Sequence, residues 1–163
     1  ANLADAEVLG KMKAAGCKRT AFGVESGNQL ILNGIDKKLS LDQVRAAFQA
    51  ARQVKMETIG FFMIGLPGDT EETIEQTIQL ACDLDPVVAN FSMTTPFPGT
   101  VLYDQVKEAE RQGRGRLLIE DWDNFIFLEG KARYELDGLT AALQERKWKE
   151  AYRRFYLRPH RIL

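Results

Sequence analysis

Three short segments hold the residue types that could bind and orient a ligand. In Gly23-Val24-Glu25-Ser26-Gly27-Asn28, a β-prone run breaks into a polar turn that carries a carboxylate and a hydroxyl. Glu25 there could accept hydrogen bonds from ribose hydroxyls or an ammonium group, and Ser26 adds a small donor. In Met63-Ile64-Gly65-Leu66-Pro67-Gly68-Asp69, an apolar run closes on Gly65, where a missing side chain lets a flat ligand approach the backbone at Ile64 and Gly65. The pattern and lysine of a phosphate loop are absent, so adenine stacking suits these residues better than phosphate. In Ser92-Met93-Thr94-Thr95-Pro96-Phe97-Pro98-Gly99-Thr100, two prolines stiffen a loop in which Thr94 to Pro96 could line the same mouth, and Thr100 can cap a helix. Taken singly, each segment also reads as an ordinary connector: a solvated strand end, a β-turn feeding a capped helix, a rigid link.

Other chemistries are poorly served. Cys17 and Cys82 have no CxxC or CxxxC spacing, so the chain alone cannot make a cysteine-ligated zinc or iron–sulfur site. The single His160 excludes most histidine triads and multi-histidine metal sites. None of the candidate residues is a general acid or base in this reading.

The elements that would position these loops alternate. Val8, Leu9, Met12 and Ala15 make a helical stripe that Gly16 can end. Thr20 to Val24 is β-prone. Ser40 and Gln43 match a capping box before the helical face of Leu41, Val44, Phe48 and Ala51. Thr58 to Ile64 reads as a strand buried on both faces. Asp69 is a candidate N-cap for the stripe of Ile74, Ile78, Ala81 and Cys82. Val87 to Thr94 is a third strand, and Leu102, Val106 and Ala109 follow at helical spacing. The order αβαβαβα predicts parallel strands with right-handed crossovers. Both edges of such a three-stranded sheet would stay open, so residues 1–112 look like a piece of something larger.

Residues 113–163 differ. Gly113 to Arg116 reads as a polar linker, Asp121 to Phe127 is aromatic and acidic, and a last helix runs from about Leu139 to Tyr156. Trp122, Phe125 and Phe127 are candidates for core or for a substrate wall. Over the whole chain of 163 residues the net charge is −1, 45% is hydrophobic and 28% charged, which fits one globular domain and gives no sign of a nucleic-acid binder. The apolar runs fall short of the ~20 residues of a membrane span. Two cysteines without a disulfide framework make a reducing cytoplasm the expected compartment.

Together, in this order and spacing, the three loops resemble the back half of a radical S-adenosylmethionine (SAM) enzyme core. The likeness is closest to the cobalamin-binding subgroup that includes anaerobic magnesium-protoporphyrin monomethyl ester oxidative cyclases. Phe22 to Gly27 is similar to that family's fourth-strand ribose motif, Gly60 to Gly68 to its fifth-strand adenine segment, and Phe97 to Tyr103 to the loop after its sixth strand. Phe155 to Pro159 resembles its C-terminal extension. The general fifth-strand pattern GxIxGxxE keeps Gly65, but Phe61 and Gly68 replace its first Gly and its Glu. The CxxxCxxC motif for a [4Fe–4S] cluster is missing.

The resemblance implies an α/β fold: the second half of a partial (β/α)6 TIM-like barrel, then a mostly helical extension. It implies SAM and a [4Fe–4S] cluster as cofactors of a longer parent, and it admits cobalamin. It assigns Glu25 and Ser26 to the ribose or methionine end, Ile64 and Gly65 to adenine, and Thr94 and Pro96 to the mouth. The expected partners are an upstream half-barrel of the same polypeptide and a small-molecule substrate, for which the subgroup suggests a tetrapyrrole. Alone, the chain is expected to be inactive. Two other readings stand beside it: a free-standing α/β domain for a nucleotide or phosphorylated metabolite, and a non-catalytic interaction module using the basic last helix.

Overall fold

The three β-prone runs become parallel strands β1 (Arg19–Glu25), β2 (Glu57–Ile64) and β3 (Val88–Met93), in sheet order β1-β2-β3. The structure is a computed structural model and describes residues 5–119 and 130–162. Helices α1 (Ala6–Ala14), α2 (Gln29–Gly34), α3 (Leu41–Gln53), α4 (Glu71–Leu84) and α5 (Val101–Arg111) precede, join and follow the strands. This is the βα succession expected of part of a (β/α)6 barrel.

Local chemistry sets the helix starts. Ser40 and Gln43 form the predicted capping box, and α3 then buries Val44, Ala47, Phe48 and Ala51. Helix α4 starts one residue later than expected, because Thr70 and Thr73 form the cap. Asp69 instead turns back to the loop before it. Helix α2 was not expected. Asn28 begins it by accepting from the N–H groups of Leu30 and Ile31 at 2.9 and 3.1 Å.

The sheet has two unlike faces. Phe22, Val24, Phe62, Ile64, Phe91 and Met93 point to the covered face and share one core with Val44, Phe48, Ile74, Ile78 and Phe155. Each such side chain contributes roughly 1.5–3 kcal/mol by leaving water. The alternate residues, including Gly23, Glu25, Phe61, Met63, Asn90 and Ser92, are only partly covered, and Phe61 is 40% exposed. The expectation that β2 is buried on both faces therefore holds for one face only. The run is nearly all apolar, but among the described residues helices cover just one side.

The expectation of two open edges is also corrected. Helix α6 (Ala141–Tyr156) lies along the outer edge of β3 and supplies what a fourth strand would have supplied. The Ala89 N–H and C=O bond to the Tyr156 hydroxyl at 3.2 and 2.9 Å. The Phe91 N–H donates to the Tyr152 hydroxyl at 3.3 Å, and the Phe91 C=O accepts from the Trp148 indole at 2.7 Å. Among the described residues, no strand pairs with the outer edge of β1.

The supposed linker is partly a strand: β4 (Gly115–Leu117) pairs antiparallel with β5 (Tyr134–Leu136). Helix α7 (Pro159–Ile162) closes the described chain. Trp122, Phe125 and Phe127 lie outside the described residues. Among those described, no helix is long and apolar enough to cross a membrane.

Candidate functional site

The site is the partly covered face of the sheet where the strands end. An open concavity of about 400 Å³ lies there, lined by Glu25, Phe61, Met63, Ser92, Thr95 and Phe97 among others. Strand-end loops are where parallel α/β folds bind ligands, because side chains from different strands converge there on a rigid base.

Glu25 is its one carboxylate. The register of β1 slips between Gly23 and Glu25, and Glu25 has φ 66°, in the left-handed region. Non-glycine residues seldom sit there, and those that do cluster at binding sites. The slip swings the carboxylate toward the concavity, where Oε1 accepts from Lys37 Nζ at 2.8 Å. A Cβ on residue 23 would stand 2.6 Å from that oxygen and 3.1 Å from the ammonium. Glycine at 23 therefore makes room for the ion pair.

The other predicted residues are placed differently. Ser26 is 1% exposed. Its hydroxyl lies 3.3 Å from that of Thr77 and accepts from the Asn28 N–H at 3.1 Å, while the Gly27 N–H donates to Thr77 Oγ1 at 2.9 Å. A Cβ on residue 27 would meet the Gln76 carbonyl at 2.3 Å. Ser26 and Gly27 thus fasten the exit of β1 onto α4. The Ser26 hydroxyl is spent inside the fold instead of opening into the concavity.

Gly65 is buried, and the space its missing side chain leaves is already filled. It has φ 84°, and a Cβ there would lie 2.3 Å from Gln144 Oε1. Its N–H donates to Asp69 Oδ2 at 3.1 Å and its C=O accepts from the Tyr134 hydroxyl at 2.5 Å. The glycine admits α6 where a ligand was expected. Ile64 is also buried, and its C=O accepts from the Thr94 N–H at 3.0 Å. Thr94 is 3% exposed and Pro96 is buried; their neighbours Thr95 and Phe97 face the concavity. Of the six predicted residues, Glu25 alone lines it.

Asp69 anchors the turn after β2, accepting from Gly65, Leu66 and the Thr73 hydroxyl. Burial pushes its carboxyl above the ordinary value, against the pull of those three hydrogen bonds. Burial likewise pushes the Tyr134 hydroxyl up, and the nearby Asp69 charge adds to this, so Tyr134 acts as a neutral donor.

Thr95 lies within the stretch Thr94 to Pro96 expected at the mouth, whereas the sequence reading gives no role to Lys37, Phe61, Met63, Ser92 or Phe97. Alternation along 57–64 could have placed Phe61 and Met63 on one face, but the run 59–64, without a polar side chain, hides it. Nothing local marks Lys37, which arrives twelve positions after Glu25 across α2.

An apolar concavity with one ion pair at its rim can hold a nucleoside-like ligand, with hydroxyls at the carboxylate and a flat base on the apolar wall. It is a poor cluster site. Cys17 lies at the opposite end of β1, Cys82 sits on α4, and among the described residues no three metal-binding side chains converge.

The sequence profile of the radical SAM superfamily matches residues 2–81. An uncharacterized methyltransferase of Pyrococcus horikoshii is 32% identical over 158 residues, covering 97% of this chain and 33% of the relative. The anaerobic magnesium-protoporphyrin IX monomethyl ester cyclase of Cereibacter sphaeroides is 28% identical over 158 residues, 94% of this chain and 24% of the relative. Among solved structures, the radical SAM methyltransferase TsrM of Kitasatospora setae, with cobalamin and a [4Fe-4S] cluster bound, superposes with a TM-score of 0.66 at 20% identity. That likeness, which shows the fold, covers 96% of this chain and 34% of TsrM. The chain thus spans about a quarter to a third of these three proteins.

Proposed function

Residues 2–81 match the radical SAM superfamily, and from that premise we propose that the chain is part of a radical SAM enzyme acting on a small molecule and forms its SAM-binding and substrate-facing wall. The observation that carries this reading is Glu25, held in the left-handed region at the rim of an apolar concavity and paired with Lys37.

The roles follow from charge and shape. Among the described residues, the second oxygen of Glu25 has no hydrogen bond and can accept from a ribose hydroxyl. The Lys37 ammonium keeps donors for an anionic group such as an amino-acid carboxylate. Phe61, Met63 and Phe97 offer apolar surface to a base or to the substrate. Ser26 and Thr94 hold the loops from behind, Ile64 and Gly65 set the end of β2, and Pro96 stiffens the mouth.

SAM bound beside a reduced cluster supplies either a 5′-deoxyadenosyl radical or a methyl group. Cys17 and Cys82 cannot hold that cluster, so its ligands belong to another part of the protein. The open edge of β1 is where an upstream half-barrel of the same polypeptide would pair, in a cytoplasmic protein whose extension is residues 113–163. Relatives named as a cyclase and as methyltransferases favour a tetrapyrrole-like or other flat organic substrate, with cobalamin as a second cofactor if the reaction is methylation.

The test uses the full-length protein, purified and reconstituted without oxygen. The electron paramagnetic resonance signal of its reduced cluster should change on adding SAM, and Glu25→Ala should weaken SAM binding about tenfold or more while the cluster signal without SAM stays the same. A cluster whose signal ignores SAM would end this reading. The alternative of a free-standing nucleotide domain would then be favoured by nucleotide binding to this chain with no cluster present.

A further inference from the structure

Gly65 is gripped from the C-terminal extension, at the point where β2 delivers its end to the proposed ligand site. The Tyr134 hydroxyl of β5 donates to the Gly65 carbonyl at 2.5 Å. Gln144 of α6 donates through Nε2 to the Tyr134 carbonyl at 2.8 Å, and its Oε1 packs where a Gly65 side chain would stand. Among the described residues that Oε1 is buried with no hydrogen-bond partner, and Gln144 is 0% exposed. An unpaired buried acceptor is unfavourable for folding, so this contact is the one in the extension that calls for a role beyond stability.

Both partners sit 69 or more positions from Gly65 in the chain, on elements outside the half-barrel. The gripped turn is coupled directly to the concavity. Met63, two residues before Gly65, lines it. Ile64, between them, accepts from the Thr94 N–H at 3.0 Å, and Thr95 lines the concavity next to Thr94. Asp69 holds the same turn from the far side through the Gly65 and Leu66 N–H groups. A shift at Gly65 therefore moves two walls of the site together.

We propose that Tyr134 and Gln144 are positioning residues, through which the extension holds the Gly65–Asp69 turn in the shape that the SAM site requires. This rests on the reading of the concavity as a SAM site. The residues touch no ligand themselves; they act through Gly65. The extension would then set SAM affinity from outside the barrel, and its loss would loosen binding before it abolished folding.

The edge ladder of α6 provides the control. Tyr156→Phe removes a hydroxyl that joins α6 to β3 at Ala89, at the end of the strand away from the concavity. Tyr134→Phe removes one that joins β5 to Gly65. Both variants are made in the full-length, cluster-reconstituted protein. Three quantities are measured: the unfolding midpoint, the dissociation constant for radiolabelled SAM by equilibrium dialysis, and amide exchange at Gly65 and Leu66.

Both variants should lower the midpoint by a similar amount. Only Tyr134→Phe should weaken SAM binding, about tenfold, and speed exchange at Gly65 and Leu66. Equal weakening by both variants, or SAM affinity within about twofold of wild type in Tyr134→Phe, would overturn the proposal, since a merely structural role predicts no difference between them. A wild-type protein that binds no SAM would overturn the ligand reading on which the proposal rests. Exchange at Gly65 distinguishes that failure from a failure of the positioning link, because it needs no ligand.

Discussion

Along β3 the outward-pointing backbone groups meet a helix; along β1, among the described residues, they meet no strand. The contrast has a geometric basis. Four residues of helix rise about 6.0 Å and two residues of parallel strand about 6.6 Å, so polar tips spaced by four on α6 stay nearly in step with alternate residues of β3. Tyr156 serves Ala89 and Tyr152 serves Phe91, in step; Trp148 reaches the same Phe91 carbonyl, and Arg161 on α7 reaches the Val87 carbonyl. Aromatic side chains suit this work because an apolar ring can pack on the core while its hydroxyl or N–H reaches the edge. A parallel sheet can thus be ended by a helix, whereas an unpaired edge invites another strand. In this chain the sealed edge carries the extension, and among the described residues the outer edge of β1 pairs with no strand.

The most direct way to break that contrast is to strip the seal of its polar tips. Tyr152→Phe with Tyr156→Phe keeps both rings and leaves the Ala89 N–H and C=O and the Phe91 N–H without partners. The expected loss is about 3–5 kcal/mol, read from urea unfolding, with increased light scattering as the edge becomes adhesive. A loss below about 1 kcal/mol would mean that water serves this edge as well as α6 does, and the two edges would no longer differ in kind.

A second change probes the upper end of the seal. Gly65→Ala puts a side chain at φ 84° and into Gln144 Oε1, and should cost about 2–4 kcal/mol. Adding Gln144→Ala should recover the collision but not the backbone strain, so the double variant should regain about half of that loss in thermal unfolding. No recovery would place the difficulty in the backbone alone and would remove Gln144 from the account.

Much of the covered face was legible in the sequence, because each long helix carries its own period and each strand is a β-prone or apolar run between turn residues. The capping box at Ser40 and Gln43 is a local pattern, and it forms as read. The place of Glu25 at the concavity could be read because a carboxylate at a strand end is also a local signal. What could not be read depends on distant partners. The row Trp148, Tyr152, Tyr156 announces a helical face but not that the face will close a strand edge. The three-residue strands β4 and β5 are too short to show alternation. Lys37 meets Glu25 only because Gly23 leaves space between two elements. Gly65 read as an opening for a ligand, since a sequence shows a missing side chain but not what fills its place.

The smallest expected effect lies at the lower end of the seal, where Asp85 gathers the C-terminal arginines. Asp85 accepts from Arg158 and Arg161 at 2.6 Å each, while Arg158 also reaches the Cys82 carbonyl at 2.8 Å and Arg161 the Val87 carbonyl at 3.2 Å. Burial pushes the Asp85 carboxyl up, but the two guanidiniums outweigh it and hold the group below the ordinary carboxylate range. A carboxyl depressed in the folded state adds stability that is fully present above its unfolded value of about 3.9 and is lost as pH falls below that value through the folded one. Asp85→Asn tolerates the left-handed backbone at this position, φ 43°, and removes the charge. Because the side chain is 39% exposed, solvent screening limits the difference from wild type to about 0.5–1 kcal/mol at pH 7. Other carboxylates, Glu75 among them, are also held low by arginine and lose their contribution in the same acid range. The informative quantity is therefore the gap between wild type and Asp85→Asn, which should narrow steadily below pH ~4. A gap that stays constant down to pH ~2 would show that backbone carbonyls alone hold Arg158 and Arg161, and that the seal on β3 needs no charge at its base.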